Sequence, residues 1–262
     1  MLQRRLYNLF PMSTRNPIQL VVFDIDGVLT EGETKALDLE LLGDLARLNR
    51  QSRDDPACPA VTLCSGRPAQ YVELMLQAID GYLPGIFENG AGLYVPETYR
   101  FLPNPALSKD GNPIPAIRQR LQETLVKSGE AYFQPGKEYS LTLFSSDPGD
   151  TGKLYDLVVA ALGDLKRDVK LVYSTLCLNI IPGNIDKGEG IRFLSDWTGY
   201  ALSGILGVGD SDVDKEFLSI VGYSGAPANS HPDIKSIVQY VSPFRTGEGV
   251  RDILAHFNIP LP

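Results

Sequence analysis

Asp24 and Asp26 follow the apolar run Val21-Val22-Phe23 and are themselves followed by Gly27-Val28. Carboxylates two residues apart on an extended segment project to the same side. One can attack an electrophile while the other carries protons to and from the reacting atoms. Further along, Ser65 closes Leu63-Cys64, Lys187 follows Pro182-Gly183-Asn184-Ile185-Asp186, and Asp210 closes Gly207-Val208-Gly209, with Asp214 just beyond. This set suits phosphoryl transfer. Asp24 is the candidate nucleophile, forming an aspartyl-phosphate, and Asp26 the candidate acid for the leaving alkoxide and base for water. A carboxylate approaching a phosphate dianion is repelled unless a cation intervenes. Mg²⁺, a hard ion taking oxygen ligands, fits between Asp24 and the phosphate, with Asp210 as a second carboxylate ligand. Ser65, Gly66 and neighbouring backbone N–H groups would hold phosphate oxygens, and Lys187 would neutralise transition-state charge.

Such residues cooperate only if the chain brings them to one crevice. The run Gln19 to Ile25 reads as a strand buried on both faces. A helix over 35–50 follows, with Leu41, Leu42, Leu45 and Leu48 on one face. A strand at 59–64, a helix at 69–79 and a short strand at 85–88 continue the alternation of a parallel sheet covered by helices. From Leu93 the texture changes: Pro96, Pro103, Pro105, Pro113 and Pro115 cluster, and Tyr139 to Phe144 alternates like an antiparallel strand. A helix at 153–165 and a strand at 169–181 complete a small α+β module. After Pro182 the earlier rhythm returns, with helices at 188–197, 214–220 and 233–237 and strands at 204–208, 222–226 and 240–241. The expected organisation is a tail at 1–16, a catalytic core from 17–92 and 182–262, and an inserted module at 93–181. Ligands of open α/β sheets sit beyond the carboxyl ends of the strands, where Asp24, Ser65 and Asp210 fall.

The motifs resemble those of the haloacid dehalogenase superfamily: Val21-Val22-Phe23-Asp24-Ile25-Asp26-Gly27, then Leu63-Cys64-Ser65-Gly66-Arg67-Pro68, then Lys187, then Gly207-Val208-Gly209-Asp210-Ser211-Asp212-Val213-Asp214. The resemblance implies a Rossmann-like parallel-sheet core with a C2-type cap, in the branch that includes sucrose-phosphate phosphatase, Cof-type proteins and archaeal phosphoglycolate phosphatase. The tail Ala226-Pro227-Ala228-Asn229-Ser230 is similar to that branch too. By resemblance, Asp26 offers its backbone carbonyl to Mg²⁺, and Asp214 supports the metal site from behind its ligands. Val28 and Val213 stand where the family often has Thr and Asn, and neither change removes a carboxylate. The expected activity is Mg²⁺-dependent hydrolysis of a small phosphomonoester, a sugar phosphate or a phosphorylated small acid. A sugar phosphomutase of the same branch and a catalytically weak regulatory protein are the alternatives.

Other residues admit two readings each. Arg67 is either a basic residue beside the phosphate or an exposed helix-start arginine. Asn89-Gly90 is a turn signal that could touch substrate, and Asn179 and Asn184 lie where the module returns to the core. Tyr132, Phe133 and Tyr139 read as core. Neither His231 nor His256 lies in a motif, which speaks against a Ser–His hydrolase. The formal charge of −8 argues against nucleic acid or an anionic membrane as partner, since both demand basic patches. Cys58, Cys64 and Cys177 are too scattered for a zinc site or disulfide framework, so a reducing, cytoplasmic setting is expected. No apolar run is long enough to span a bilayer. The partner is thus a small phosphorylated metabolite; oligomeric state leaves no mark in the sequence.

Overall fold

Strand β1, Leu20–Phe23, is fully buried and shares its side chains between two apolar layers. Val21 and Phe23 enter a cluster with Leu41, Leu45, Val72 and Ile253, while Leu20 and Val22 enter one with Ile86, Ile191 and Phe217. Period-two alternation puts one layer on each side of the sheet. The computed structural model describes residues 18–32, 34–108, 111–147, 151–173 and 177–262. The tail expected at 1–16 lies outside them.

Helix α1, Leu39–Asp54, buries Leu41, Leu42, Leu45 and Leu48, and Asp38 caps it by accepting from Leu41 N. Strand β2, Ala60–Leu63, leads into α2, Ala69–Ala78. After the inserted region come α5, Lys187–Thr198, β10, Ile205–Val208, and the short α6, Lys215–Leu218. Strand β11, Tyr223–Ala226, helix α7, Pro232–Ile237, strand β12, Tyr240–Val241, and helix α8, Thr246–His256, end the chain. Helix α8 was not anticipated, although Val250, Ile253 and Leu254 bury one face of it.

The main sheet is parallel, in the order β12-β11-β10-β1-β2. Strand β1 therefore lies between β2, which follows it in the chain, and β10, which returns much later. That is the topological switch where a crevice opens in α/β sheets. Strand β3, Gly85–Phe87, touches this sheet through one parallel bridge, Cys64 to Ile86. Its main partner is β4, Gly92–Val95, which continues antiparallel into β5, Arg100–Pro103. The expected third strand of the parallel sheet is thus mostly part of a separate meander. Leu93, expected at the start of the insertion, lies in β4 and packs with Ile86 and Ile191.

A second antiparallel sheet has the order β6-β7-β9-β8, from Ala131–Phe133, Leu141–Ser145, Cys177–Pro182 and Val169–Tyr173 respectively. The single strand expected over 169–181 is two, because the run doubles back and pairs with itself, Val172 opposite Asn179. Helices α3, Ile114–Leu121, and α4, Thr151–Leu162, cover one face around Ile117, Leu121, Leu143, Val158 and Ile180. Helix α3 was hidden in the sequence by Pro113, its N-cap, and Pro115, in its first turn, where a missing N–H costs nothing. Tyr132, read as core, is 53% exposed and stacks on Phe144; Phe133 and Tyr139 pack against apolar clusters. No helix among the described residues is long and apolar enough to cross a membrane.

Candidate active site

Register places the site residues side by side. Phe23 pairs with Val208 of β10 and Leu63 of β2, and Asp24 N continues the ladder to Val208 O at 2.9 Å. Asp24, Asp210 and Ser65 consequently leave three adjacent strands at one end of the sheet. They line a cavity of about 960 Å³ with Asp26, Gly66, Arg67, Asn89 and Lys187. Its opposite wall comes from the second antiparallel sheet, through Lys137, Thr142, Phe144, Leu171 and Asn179.

Lys187, the first residue of α5, is 1% exposed. A surface lysine is thereby ruled out. Its Nζ lies 2.9 Å from Asp24 Oδ1 and 2.5 Å from Asp214 Oδ1. Burial works against its charge, but Asp214 and Asp24 outweigh burial and hold the ammonium above its usual range. Asp24 Oδ1 also accepts from Ile25 N at 2.7 Å, so among the described residues both of its contacts use the same oxygen. Burial pushes the Asp24 carboxyl well up, against the pull of Lys187. Asp210 is pushed up to about 7 by burial and then by Asp214.

Asp214 performs two tasks. As an N-terminal acid it closes a capping box with Ser211, and its Oδ2 accepts from Asp210 N at 3.0 Å, Ser211 N at 2.9 Å and Ser211 Oγ at 3.1 Å. Its Oδ1 takes Lys187, so Asp214 is saturated and organises the loop that carries Asp210. Carboxylate oxygens of Asp24, Asp210 and Asp214 lie within 4.8 Å of one another, and Asp210 Oδ1 is buried with no hydrogen-bond partner among the described residues. A buried carboxylate oxygen without a donor is costly. An oxygen-coordinated divalent cation between Asp24 and Asp210 fits this donor set. Gly27 allows the approach: its φ is +83°, and a Cβ there would lie 2.1 Å from Asp210 Oδ2.

The remaining predicted residues fall into place unevenly. Ser65 is buried and its Oγ accepts from Arg67 N at 3.2 Å; α2 begins beyond Pro68, so Ser65 is not its cap. Gly66 lies against Asn89, where a Cβ would come within 2.9 Å of Oδ1. Arg67 is no exposed arginine, since it grips the Asp26 carboxylate through two hydrogen bonds. Asn184 is a correction: its Nδ2 donates to Ala106 O at 2.6 Å and it does not line the cavity, because it braces the turn after β9. Cys64 is wholly buried and burial keeps its thiol neutral, which leaves no thiolate nucleophile here.

Some site residues went unread. Asn229, in the turn beyond β11, donates to Gly27 O at 2.8 Å and accepts from Thr246 N at 2.9 Å, pinning the Asp24–Gly27 loop. Its position just beyond a strand was the available signal. Glu88 is buried and accepts from Glu138 N, Tyr139 N, Ser140 N and Ser140 Oγ, tying β3 to the loop before β7. No local pattern announces that contact.

The family model of haloacid dehalogenase-like hydrolases matches residues 118–254, more than half the chain. The chain belongs to the haloacid dehalogenase-like hydrolases. A phosphoglycolate phosphatase of Methanothermobacter thermautotrophicus is 23% identical over 92% of this hydrolase and 99% of that protein. The phosphoglycolate phosphatase of Methanothrix thermoacetophila is 35% identical over 36% of this chain and 43% of that protein. A crystal structure of a Thermoplasma acidophilum protein superposes with a TM-score of 0.73 at 20% identity, over 93% of this chain and 99% of that one. The fold is thus the Rossmann-like parallel-sheet core of this family with a C2-type cap, whose antiparallel sheet contributes to the far wall of the cavity.

Proposed function

We propose that this hydrolase cleaves a small phosphomonoester through Asp24, in a Mg²⁺-dependent reaction, and that the substrate is a phosphorylated small acid. The enzyme is a phosphatase of the haloacid dehalogenase-like family. The observation that carries the assignment of roles is the joint placement of Asp24, Lys187 and the donorless Asp210 Oδ1 on one cavity. The substrate class is supported by the relatives named phosphoglycolate phosphatase.

Both contacts of Asp24 use Oδ1, which leaves Oδ2 to attack phosphorus. As that P–O bond forms, the bond to the leaving oxygen breaks and Asp26 delivers a proton to it. Asp26 then removes a proton from water, which attacks phosphorus, returning the Asp24 carboxylate and releasing inorganic phosphate. Ser65 and the Gly66 backbone receive the phosphate oxygens, and Lys187 balances their charge. Asp24, Asp210 and the Asp26 carbonyl would hold Mg²⁺, with Asp214 fixing the Asp210 loop. When bound, that ion offsets phosphate charge against the nucleophile. Arg67 and Asn89 stand close enough to the same pocket to meet substrate.

We also propose that the cap begins near Pro113 and ends near Pro182, because Leu93 packs into the core and Ile114 into the cap cluster. The test of function is phosphate release from a panel of phosphomonoesters with Mg²⁺ and with EDTA, alongside Asp24→Asn. Release that depends on Mg²⁺ and vanishes in Asp24→Asn is expected. Undiminished turnover by folded Asp24→Asn removes Asp24 as nucleophile.

A further inference from the structure

The cap presents a buried ammonium to the catalytic cavity. Lys137, in the loop between β6 and β7, is 6% exposed and lines the same cavity as Asp24. Its Nζ donates to Thr142 Oγ1 at 2.5 Å and to Asn179 Oδ1 at 3.4 Å, both neutral oxygens. Among the described residues no carboxylate pairs with it. Glu88 is the acid whose charge acts on it most, yet both Glu88 oxygens are occupied by Glu138 N, Tyr139 N, Ser140 N and Ser140 Oγ. Asp26 is committed to Arg67.

Burial brings this ammonium down to about 8, with Glu88, Cys177 and Asp26 acting to raise it and Arg67 to lower it. Buried charges are normally paired, because desolvation costs more than neutral hydrogen bonds return. The position is also held firmly. The Lys137 carbonyl accepts from Arg118 Nη2 at 2.6 Å, and Glu88 anchors the residues that follow. Thr142 Oγ1 bonds Asn179 Oδ1 at 2.6 Å, which turns the Asn179 amide so that its Nδ2 reaches only Cys177 Sγ at 3.9 Å among the described residues. A rigid cation beside an underused amide donor, facing the reacting groups, is arranged for an anion.

We propose that Lys137, with Asn179 and Thr142, forms a subsite for a carboxylate of the substrate, so that the enzyme selects phosphorylated hydroxy acids over neutral phosphoesters. One ammonium with an amide donor matches the single charge and planar oxygens of a carboxylate. A second phosphate, carrying about two charges, would call for more cations than the described cap residues bring to the cavity. Lys137 lines one cavity with Asp24 and Asp26, so a single substrate can present its phosphate to one side and its carboxylate to the other. The inference rests on the phosphatase reading of Asp24 and Asp26.

The test compares 2-phosphoglycolate with 2-hydroxyethyl phosphate, which carries CH2OH in place of the carboxylate, using the full chain with Mg²⁺. Wild type is expected to favour phosphoglycolate in kcat/KM. Lys137→Met should cut that ratio by about 10- to 100-fold, mainly through KM, in keeping with loss of a charged hydrogen bond. Glycolate, as a competitive inhibitor, should weaken in parallel. Asn179→Leu carries the same measurement should Lys137→Met fail to fold, with a smaller expected drop in the ratio. No preference in wild type, or an unchanged ratio in a folded variant, overturns the subsite. Hydrolysis of p-nitrophenyl phosphate separates the two ideas. Its absence from wild type faults the phosphatase reading as well, whereas its presence without carboxylate preference faults the subsite alone.

Discussion

The Asp26 carboxylate and the Arg67 guanidinium meet edge to edge, with Nε 2.7 Å from Oδ2 and Nη2 2.7 Å from Oδ1. A two-point contact fixes the plane of the carboxylate as well as its position. The Tyr71 ring backs the guanidinium, whose centre lies 4.7 Å from the ring centroid. Asp26 is thereby held by a residue of the second strand's loop, across the crevice from its own backbone. Arg67 acts as a positioning residue for the proposed acid–base group. Asp26→Asn should lower kcat by about 10²- to 10⁴-fold, the usual worth of a placed acid or base. Arg67→Ala should lower kcat by about tenfold or more, with partial recovery in Arg67→Lys, which restores charge without the fork. Steady-state kinetics decide it: a rise in KM alone would make Arg67 a substrate ligand instead.

Lys187 neutralises two buried carboxylates at once. Removing one member of a buried charge cluster typically costs about 3–5 kcal/mol, because the others stay desolvated and unpaired. Lys187→Met should therefore lose activity and stability together, while Asp24→Asn, which leaves Lys187 paired with Asp214, should lose activity with a smaller change in stability. Urea unfolding in EDTA measures both. Equal stability of Lys187→Met and wild type would contradict the buried pairing.

Asp210 makes metal-free stability depend on pH. Its carboxyl is raised from 3.8 to about 7 in the folded chain, so the native state holds a proton that the unfolded state has given up. Stability then falls as pH rises from about 4 to about 7 and levels off above it, the opposite of a salt-bridged carboxylate. A divalent cation needs the deprotonated form, so Mg²⁺ should stabilise more as pH rises through the same window. Thermal unfolding at pH 5, 6 and 7 should show Tm falling in EDTA, with the Mg²⁺-induced increment growing, and both should level off by pH 8.5. A pH-independent increment would mean that Asp210 is not a ligand.

How much of this was legible follows the range of the interactions. Asp24, Asp26, Ser65 and Asp210 could be found because buried parallel strands announce themselves as apolar runs, and their ends are where chemistry collects. Lys187 could be placed by its distance from the inserted segment, though only the structure shows it sealed between Asp24 and Asp214. Arg67 kept two readings because its partner is 41 positions away. Asn184 was over-read, since a polar residue in a turn and one in a pocket look alike in sequence. Lys137 and Glu88 carried no signal at all. Each is an ordinary charged residue whose burial comes from a sheet laid over the core, and no periodicity records that contact.

Glu88 supplies the last prediction, since it joins the strand beside the cavity to the loop that carries Lys137. One carboxylate accepts three backbone N–H groups and a hydroxyl, at distances from 2.7 to 2.9 Å. Truncation strands those donors in a buried site, each orphan costing about 1–3 kcal/mol with incomplete additivity. Glu88→Ala should destabilise the protein by about 3–5 kcal/mol, and Glu88→Gln by less, because one acceptor oxygen remains. The loop would also lose its fixed position, so residual Glu88→Gln should show a raised KM for 2-phosphoglycolate. Denaturant unfolding and steady-state kinetics on the two variants test both halves. A Glu88→Ala protein as stable as wild type would show that the cap loop is held by its own sheet and that Glu88 is a bystander.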